Sequence, residues 1–429
     1  MKVVIAGYGV EGQASLRYWL AQGADVTIAD ERDSLSVPIE ASGALLGPSA
    51  FDELGEFDLI VRSPSLNPAK LPYGDAVWSA TNEFFAQCEA PIIGVTGTKG
   101  KGTTSSLIAS ILRASGKTVY VVGNIGVPAL EVLPQITADD VVVYELSSFQ
   151  LWDLQQSPHI AVVLMIEADH LDTHSSMEEY VAAKSRIVMN QSPSDVALYH
   201  PHNELSAQIA HSGESRTARY GVIDDGQVYM KAGMFYMQDD AICSVDTLDL
   251  VGAHNQENAC AAISAALLMG AQTTAVAEGL HSFHGLPHRL KWVKTVNDVA
   301  YYDDSIATTP GSAIAALRAF DAPRIIILGG SDKGVSYDDV IAECHEAGAT
   351  VIAIGQTGEI IAELCEQMDV TYCRIEGLMD EVVAQAQAIA PAGAVVILSP
   401  ASASFDQYAN YSARGDAFIA AVESLEPSL

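Results

Sequence analysis

The residue pattern with the clearest chemical meaning is a glycine-rich loop, GVTGTKGKGTT, at residues 94–104. It follows an apolar run typical of a buried strand and precedes an apolar helical pattern. In such a loop, backbone N–H groups at a helix N-terminus bind phosphate oxygens, and Lys101 would add positive charge near the β- and γ-phosphates. Gly102 follows Lys101, which departs from the strict P-loop spacing, so we expect Thr103 to supply the hydroxyl for Mg²⁺. The predicted phosphate-binding residues are Gly97, Thr98, Lys99, Gly100, Lys101, Gly102, Thr103 and Thr104.

Two further motifs follow predicted strands and supply candidate metal ligands. Glu145 begins ELSSFQL directly after the apolar run DVVVY, and His170 lies in DHLDTH after IAVVLMI. Side chains at the carboxyl ends of parallel strands face the ligand crevice, where a carboxylate can hold Mg²⁺. A helix-capping role for Glu145 stays open. We expect His170 to contact metal or phosphate, Asp172 and His174 are weaker candidates, and Lys184 follows in the next helical pattern.

A second glycine motif, GYGVEG at residues 7–12, matches GxGxxG between a predicted strand and a predicted helix. Asp30 ends the next predicted strand, as the acidic residue does in dinucleotide-binding folds. Taken alone, the motif is compatible with NAD, with another diphosphate, or with a tight turn that binds nothing. An NAD-dependent oxidoreductase is one hypothesis, but it leaves the 94–104 loop and DHLDTH without a role.

Polar clusters in the second half of the chain also have two interpretations each. Asn255 and Asn258 in HNQEN lie three residues apart at the start of a predicted helix, where they could bind a nucleotide or cap the helix. GLPHR places Arg289 where a guanidinium could bridge a phosphate. DDSIATTP (303–310) and LSPASASFDQ (398–407) each end a predicted strand with polar side chains, and either alone would be interpreted as a turn.

Short apolar runs alternate with helical patterns around all of these motifs, which indicates parallel sheets with crossover helices. The alternation starts anew near residues 90 and 285. We therefore predict an α/β protein of three domains, at residues 1–90, 91–284 and 285–429. Short β-runs at 216–252 predict a small β excursion from the central domain.

Composition excludes several classes of function. A net charge of −32 over 429 residues repels phosphate backbones, so we expect no nucleic-acid partner. No run of about 18 uncharged apolar residues occurs, so no membrane helix is expected. The opening MKVVIAGYGVEG is typical of a strand and turn rather than of a signal peptide. The six cysteines form no CxxC pair, which fits a reducing cytoplasm and neither a zinc site nor a disulfide framework.

Taken in order, these motifs make the sequence similar to the Mur ligase family along the whole chain. GNIG (123–126), AAK (182–184) and GGSDKG (329–334) are further matching blocks. GNIGVP, ELSSFQL and SPASASFDQ resemble the glutamate-adding members more than those that add alanine, lysine or diaminopimelate. The resemblance implies an N-terminal Rossmann-like UDP-binding domain, a central P-loop ATPase domain with a parallel sheet, and a C-terminal Rossmann-like domain that binds the amino acid.

The resemblance also implies a reaction. ATP would phosphorylate the carboxylate of UDP-N-acetylmuramoyl-L-alanine, and the amino group of glutamate would attack the resulting acyl phosphate. Two Mg²⁺ ions would assist. We expect a cytoplasmic monomer without a membrane partner. D-glutamate is favoured over L-glutamate, which stays an alternative, because the most similar members use the D form.

Residue roles carry over at the matching positions. The catalytic residues would be Lys101, Glu145, His170 and Lys184, the last of them carbamylated. The metal ligands would be Thr103, Glu145, His170 and the Lys184 carbamate. The nucleotide would also contact Asn255, Asn258, Arg289 and Asp304. The UDP substrate would contact Gly9, Val10, Glu11, Gly12, Asp30, Arg32, Ser63 and Asn124. The amino acid would contact Thr308, Lys333, Ser404 and Tyr411.

Three positions depart from the family pattern. Gly102 shifts the loop hydroxyl by one residue, as in folylpolyglutamate synthetases, which lack the N-terminal domain expected here. A ligase of that kind is the alternative function. Ile306 stands where lysine is usual, and Tyr411 stands where phenylalanine is usual. Both fall where the amino acid should bind. An ATP-gated binding module that has lost catalysis is a third hypothesis.

Overall fold

The computed structural model describes residues 1–71, 73–124, 127–170, 173–221, 227–250, 252–332 and 335–426. They form two compact units, Met1–Phe283 and His284–Leu429. The prediction of an α/β protein built on parallel sheets is confirmed. The division into three domains at residues 90 and 284 stays a prediction. Among the described residues, no helix has the length and apolar character needed to span a membrane.

The first unit begins with a sheet of five parallel strands. They are β1 (Lys2–Ala6), β2 (Asp25–Asp30), β3 (Gly43–Leu46), β4 (Leu59–Arg62) and β5 (Val77–Ser79). Their order is β3-β2-β1-β4-β5, with α1 (Val10–Ala21) after β1 and α2 (Ala80–Gln87) after β5. The runs VVIAGYG (3–9), DVTIAD (25–30) and DLIVRSP (58–64) predict β1, β2 and β4, whose apolar residues are mostly buried. The sequence did not predict β3 and β5, which are short and only partly buried.

A second parallel sheet follows within the same unit. Its strands are β6 (Ile92–Thr96), β7 (Val119–Gly123), β8 (Val141–Glu145), β9 (Ile160–Val163), β10 (Val196–Tyr199) and β11 (Arg216–Arg219). Their order is β11-β10-β9-β6-β8-β7. Because β6 lies between β8 and β9, the segments that follow these three strands all emerge at one edge of the sheet.

Helices cover both faces of this second sheet, as a fully buried parallel sheet requires. They are α3 (Lys101–Ala114), α4 (Ala129–Val132), α5 (Ser148–Leu151), α6 (Met177–Met189), α7 (Glu204–Ala210), α8 (Ala253–Leu268) and α9 (Val276–His281). One apolar core contains residues of α3, α8 and α9, and the other contains residues of α2, α4, α5, α6 and α7.

The predicted β excursion is smaller than the sequence suggested. Its three antiparallel strands are β12 (Val228–Lys231), β13 (Met234–Met237) and β14 (Asp240–Ser244). The segment 216–219 was assigned to the excursion, but it is β11 and pairs in parallel with β10 at the edge of the main sheet. Its polar sequence, RTAR, is tolerated there because an edge strand is only partly buried.

The second unit contains a single six-stranded sheet. Its strands are β15 (Lys291–Val296), β16 (Val299–Asp303), β17 (Arg324–Gly329), β18 (Thr350–Ile354), β19 (Tyr372–Ile375) and β20 (Val395–Leu398). Their order is β15-β16-β20-β17-β18-β19, and only the β15–β16 pair is antiparallel. The helices are α10 (Pro310–Leu317), α11 (Asp338–Glu346), α12 (Gly358–Gln367), α13 (Met379–Ile389) and α14 (Tyr411–Glu423). The runs VAYYDDS, RIIILGG, TVIAIG, VTYCRI and AVVILSP predict all of these strands except β15.

Candidate active site

Two glycines shape the predicted phosphate loop between β6 and α3. Gly97 has φ = 155°, and a Cβ there would lie 2.6 Å from Cβ of Leu164. Gly100 has φ = 82° directly before α3, and a Cβ there would lie 2.5 Å from Oδ1 of Asn258. Both positions therefore require glycine. A loop of bare backbone before a helix N-terminus is the arrangement that binds phosphate oxygens.

Lys101 and Thr98 stabilise the shape of this loop. Nζ of Lys101 donates to the carbonyl oxygens of Gly97 (3.1 Å) and Thr98 (3.0 Å). Oγ1 of Thr98 donates to the carbonyl oxygen of Glu167 (3.1 Å) and accepts from its N–H (2.9 Å). The Lys101 ammonium therefore lies against the loop, and the loop is attached to the segment that follows β9.

The hydroxyl groups at the start of α3 are buried. Thr103, the predicted metal ligand, is 6% exposed, and Thr104 is fully buried. Within the described part of the chain, Oγ1 of Thr104 makes no hydrogen bond. Buried hydroxyls normally have a partner. At this position, a ligand bound at the loop would supply the missing hydrogen-bond partner.

Lys184, from α6, reaches the same loop from the interior. Its side chain is 1% exposed, and Nζ donates to the carbonyl oxygen of Gly97 (2.9 Å) and to Oγ1 of Thr96 (3.3 Å). Nζ also lies 4.6 Å from the centroid of the Tyr180 ring. The sequence placed Lys184 near the phosphate loop only by resemblance, and the structure shows it in direct contact with the loop backbone.

Burial lowers the pKa of Lys184 well below its usual range. Repulsion from Lys101 lowers this pKa further, while the carboxylates of Asp169 and Glu145 oppose the shift. Lys101, Glu145 and Lys184, three of the four residues predicted to be catalytic, therefore interact electrostatically. The environment favours a neutral amine at Lys184, which is the nucleophilic form.

Glu145 and Asn124 end two neighbouring strands, β8 and β7. Nδ2 of Asn124 donates to Oε1 of Glu145 (2.8 Å), and its backbone N–H donates to the Glu145 carbonyl oxygen (3.1 Å). Gly123 makes this approach possible, because a Cβ there would lie 2.3 Å from that carbonyl oxygen. The Glu145 side chain is thus buried and oriented at the sheet edge, and Ser147 is the N-cap of the helix that follows it.

The residues at this site fit Mg²⁺ better than a metal ion whose ligands all come from protein side chains. Among the described residues, no group of three or more His, Cys, Asp or Glu side chains is arranged to hold a metal ion. Mg²⁺ usually keeps several waters and takes only one or two carboxylates plus substrate phosphates. Glu145, with the hydroxyl of Thr103, is a donor set of that kind.

The two histidines of DHLDTH differ in their surroundings. His170 has φ = 54°, its side chain is 48% exposed, and its ring lies edge-on to Phe149 at 4.9 Å. His174 is buried, its Nε2 lies 2.9 Å from Oγ of Ser148, and its ring stacks on Phe149. Burial lowers the pKa of His174. His174 is therefore a packing residue, whereas His170 is open to a ligand. Asp172 lies outside the described residues.

The GYGVEG turn is tightly packed and lies against Ser63, while contact of either with UDP stays a prediction. A Cβ on Gly7, which has φ = 95°, would lie 2.6 Å from Cβ of Ser63. A Cβ on Gly12 would lie 2.4 Å from the carbonyl oxygen of Gly7. Gly9, in contrast, has open space around its Cβ position. The exposed Val10 follows it at the N-terminus of α1.

Asp30 supports this turn from within. Its carboxylate accepts from the N–H of Tyr8 (2.8 Å) and from Nε of Arg32 (2.7 Å). Those hydrogen bonds, led by the one from Arg32, lower the pKa of Asp30 to about 2. Nη2 of Arg32 also donates to the Tyr8 carbonyl oxygen (3.0 Å). The two residues lie at the turn and bind each other and the turn backbone, and their contact with UDP stays a prediction.

Glu11 points towards the second sheet of the unit. Its Oε1 accepts from Nε2 of Gln150 in α5 (2.7 Å). Burial raises the pKa of Glu11 to about 7, although the bond from Gln150 opposes the shift. Its carboxyl group therefore connects two parts of the unit, which the resemblance did not indicate.

The predicted nucleotide amides lie together on α8. Nδ2 of Asn258 donates to Oδ1 of Asn255 (3.4 Å). The Asn258 side chain also lies close to Gly100 of the phosphate loop. α8 therefore places Asn258 next to the phosphate loop through tertiary packing. Contact of either amide with a nucleotide stays a prediction.

Two further predicted nucleotide contacts are in the second unit. Asp304 accepts from Oγ of Ser399 (2.7 Å) and from the N–H of Leu290 (3.0 Å). Burial raises its pKa to about 7, and the charge of Arg289 opposes this shift. Arg289 and Asp304 are thus close to each other, while their contact with a nucleotide stays a prediction.

Segments 303–310 and 398–407 meet around a buried arginine of α14. Arg414 is 1% exposed and donates to the carbonyl oxygens of Ser305 (2.8 Å) and Ala403 (3.2 Å). Oγ of Ser305 donates to the Tyr411 carbonyl oxygen (2.7 Å). Three predicted amino-acid contacts lie on these segments or at the start of α14: Thr308, Ser404 and Tyr411. Lys333 lies outside the described residues.

Sequence reasoning missed two arginines of structural importance, Arg62 and Arg414. Both are 1% exposed. Arg62 directly follows the apolar run LIV of β4, and a charged residue at the end of a buried strand was the available signal. Arg414 carried no comparable signal, because its helix pattern is typical of an ordinary surface helix.

Comparison with known proteins gives the family. The chain matches the Mur ligase middle domain over residues 95–266 and the Mur ligase, glutamate ligase domain over residues 288–402. It is 37% identical to the UDP-N-acetylmuramoylalanine--D-glutamate ligase of Symbiobacterium thermophilum, covering 99% of this chain and 98% of the relative. It is 35% identical to the ligase of the same name from Streptococcus thermophilus, with the same coverage.

Solved structures agree on the fold. The UDP-N-acetylmuramate-alanine ligase of Thermotoga maritima is similar over 99% of both chains, with a TM-score of 0.63 and 18% identity. The MurF ligase of Thermotoga maritima in complex with ADP covers 98% of this chain and 95% of its own, with a TM-score of 0.59 and 17% identity. The chain belongs to the Mur ligase family, and it is an ATP-dependent ligase that forms an amide bond. This excludes the NAD-dependent oxidoreductase.

Glu11→Gln should change the pH dependence of stability. The pKa of Glu11 is raised from 4.5 to about 7, so its stabilising contribution is complete below pH 4.5 and is lost as the pH rises through 7. Between pH 5 and 8, the wild type should lose up to about 3 kcal/mol of unfolding free energy relative to the variant, measured by urea denaturation. Glu53→Gln, at an exposed position, is the control. Parallel pH profiles of wild type and Glu11→Gln would contradict the raised pKa.

Proposed function

We propose that this chain joins D-glutamate to UDP-N-acetylmuramoyl-L-alanine, with conversion of ATP to ADP and phosphate. The names of the relatives at 35–37% identity describe this reaction. The observation that carries the proposal is the convergence of Lys101 and Lys184 on the carbonyl oxygen of Gly97 in a glycine loop. A glycine loop at a helix N-terminus with the Lys101 ammonium against it is suited to a polyphosphate. The enzyme would be a cytoplasmic monomer.

ATP solves the chemical problem that a carboxylate is a poor electrophile. The carboxylate oxygen of the muramoyl alanine attacks the γ-phosphorus, ADP leaves, and an acyl phosphate forms. The amino group of glutamate then attacks the acyl carbon, phosphate leaves, and the amine proton is lost to solvent. Phosphoryl transfer depends mainly on positioning and neutralisation of charge. Lys101 and the α3 N-terminus would supply both at the β- and γ-phosphates.

Two Mg²⁺ ions would neutralise further charge on the phosphates and on the substrate carboxylate. Thr103 and Glu145 would hold the first ion together with phosphate oxygens. His170 and a carbamate on Lys184 would hold the second. Asn124, whose side chain donates to Glu145, would also face the substrate carboxylate.

The environment of Lys184 supports carbamylation. A neutral amine attacks CO₂, a new N–C bond forms, and one proton is released to solvent. Burial and the nearby Lys101 both favour that neutral amine. The product is an anion, which removes the repulsion between the two lysines. A cation would then be needed nearby to compensate the buried negative charge.

We further propose the three domains that the resemblance implies, 1–90 for UDP, 91–284 for ATP and 285–429 for the amino acid. The GYGVEG turn with Ser63, Asp30 and Arg32 would bind the UDP diphosphate, and Gly9 leaves the space that a diphosphate requires. The parallel sheet at residues 2–79 disfavours the alternative function, because folylpolyglutamate synthetases lack such an N-terminal domain. Thr308, Lys333, Ser404 and Tyr411 would form the amino-acid pocket.

Lys101→Ala should lower kcat by at least about 10³-fold with the fold retained, because it removes a main electrostatic stabiliser of the transferred phosphoryl group. The assay is ADP release dependent on UDP-N-acetylmuramoyl-L-alanine and D-glutamate. Lys117→Ala, which changes a lysine just beyond the C-terminal end of α3, is the control. Near-normal turnover of Lys101→Ala would contradict the phosphate-loop assignment.

Lys184→Ala should be nearly inactive and should recover part of its activity with a short carboxylic acid such as formate, which would replace the carbamate. Removal of bicarbonate should slow the wild type. The same acid added to Lys101→Ala should restore nothing, because that variant lacks a cation. A fully active Lys184→Ala variant would remove the carbamate from the mechanism.

Lys333→Ala should raise the KM for glutamate more than tenfold, about 1.4 kcal/mol, because an acidic substrate in a chain of net charge −32 needs a local cation. Ile306→Lys should leave glutamate binding equal or better. Labelled D-glutamate should enter the UDP-muramoyl dipeptide. Incorporation of L-glutamate alone would overturn the stereochemistry, and incorporation of neither would overturn the function.

A further inference from the structure

Arg62 connects two distant parts of the first unit through one buried guanidinium. Nε and Nη2 donate to the two carboxylate oxygens of Asp153, at 2.9 and 2.8 Å. Nη2 also donates to the carbonyl oxygen of Phe149 at 3.0 Å. The guanidinium lies 6.0 Å from the centroid of the Trp152 ring. One side of this cation is therefore fully engaged by α5 and the residues directly after it.

The other side of Arg62 orders the loop that follows β4. Nη1 donates to the carbonyl oxygens of Ser63 (3.0 Å), Pro64 (3.1 Å) and Leu66 (3.0 Å). The Ser63 carbonyl oxygen also accepts from the Leu66 N–H (3.0 Å), and the arginine binds all three carbonyl groups with one nitrogen atom. Its planar fork of donors can do this in several directions at once, which lysine cannot.

The loop ordered by Arg62 contacts the proposed UDP-binding turn. Ser63 lies against Gly7, close enough that any side chain at Gly7 would collide with it. Arg62, Ser63 and Glu11 also lie around one narrow gap at the start of α1. The position of the arginine thus bears directly on the shape of the turn.

The segment bound by Asp153 and Arg62 contacts the histidines of the proposed catalytic site. Phe149 in α5 lies 4.9 Å from the ring of His170 and stacks on His174 at 5.4 Å. The neighbouring Ser148 lies 2.9 Å from Nε2 of His174. A shift of α5 would therefore move the support on which the His170 ring rests.

We propose that Arg62 and Asp153 are positioning residues that couple the UDP-binding turn to His170 through α5. This inference rests on the proposed function. Their pairing sets the distance between the place where the diphosphate binds and the place where the substrate carboxylate meets the γ-phosphate. Reacting groups displaced by about 1 Å can react about 10²-fold more slowly, so this distance matters for the rate.

A second ion pair between the same two parts offers a matched control. Arg17 in α1 pairs with Glu131 in α4, and its side chain is 59% exposed. Exposed pairs of this kind contribute little, whereas a buried charge that loses its partner is strongly disfavoured. Each pair joins an arginine of the first sheet or its helices to a carboxylate of the following part of the unit. The two pairs differ in burial and in contact with α5.

The first experiment compares Arg62→Lys and Asp153→Asn with Arg17→Gln. Both changes at the buried pair should lower kcat/KM for the UDP substrate at least tenfold, with a fall in kcat, while the KM for ATP stays within about twofold. Arg17→Gln should match the wild type. Unchanged kinetic constants in both buried-pair variants would overturn the proposal.

A double variant separates positioning from stability. Arg62→Met with Asp153→Leu removes both charges, so neither is left buried and unpaired. It should regain thermal stability relative to Arg62→Met and keep the kinetic defect, because the hydrogen bonds to the 63–66 carbonyl groups are still missing. Recovery of both stability and kcat would reduce the pair to a structural role and overturn the proposal.

Hydrogen exchange tests the coupling without any substrate. In each buried-pair variant, amide exchange should rise together in residues 63–71 and 148–154, and it should stay unchanged in Arg17→Gln. Independent changes in the two segments would overturn the coupling. If the wild type makes no UDP-muramoyl dipeptide, the proposed function fails, but the exchange result still decides whether Arg62 connects the two segments.

Discussion

Two lysine side chains share one acceptor, the carbonyl oxygen of Gly97, and the rest of the site depends on this crowding. Nζ of Lys101 lies 3.1 Å from that oxygen and Nζ of Lys184 lies 2.9 Å from it. Burial lowers the pKa of Lys184 and repulsion from Lys101 lowers it further, so the more buried amine is driven towards its neutral form. Negative charge, whether from a polyphosphate or from a carbamate, is what relieves the repulsion.

The order of strands in the second sheet brings the compensating groups to the same place. β6 carries the glycine loop, and its neighbours β8 and β9 lead to Glu145 and Asp169. Both carboxylates act on Lys184 and oppose its loss of charge. Residues far apart in sequence therefore form one electrostatic cluster, because parallel strands present their carboxyl ends at a single edge.

A short helix, α5, links this cluster to the first sheet. Its residue Gln150 binds Glu11, and the Phe149 carbonyl group binds Arg62. On the opposite side, Phe149 and Ser148 support the histidine rings. Four residues of helix would be marginal alone. Contacts with both sheets stabilise α5. The helix in turn connects the GYGVEG turn with the part of the unit that carries the 94–104 loop.

The sequence by itself determined the α/β class, the strands that carry the motifs, and the glycine loop before α3, because apolar runs and glycine spacing are local properties. It missed β3, β5 and β15, whose short or polar sequences pair only when a sheet already exists. Tertiary structure alone decided that Lys184 is buried against Lys101, that Glu11 faces Gln150, and that Arg62 and Arg414 are buried. Burial and the distance to other polar groups determine the charge state of such side chains, and neither is a local property of the chain.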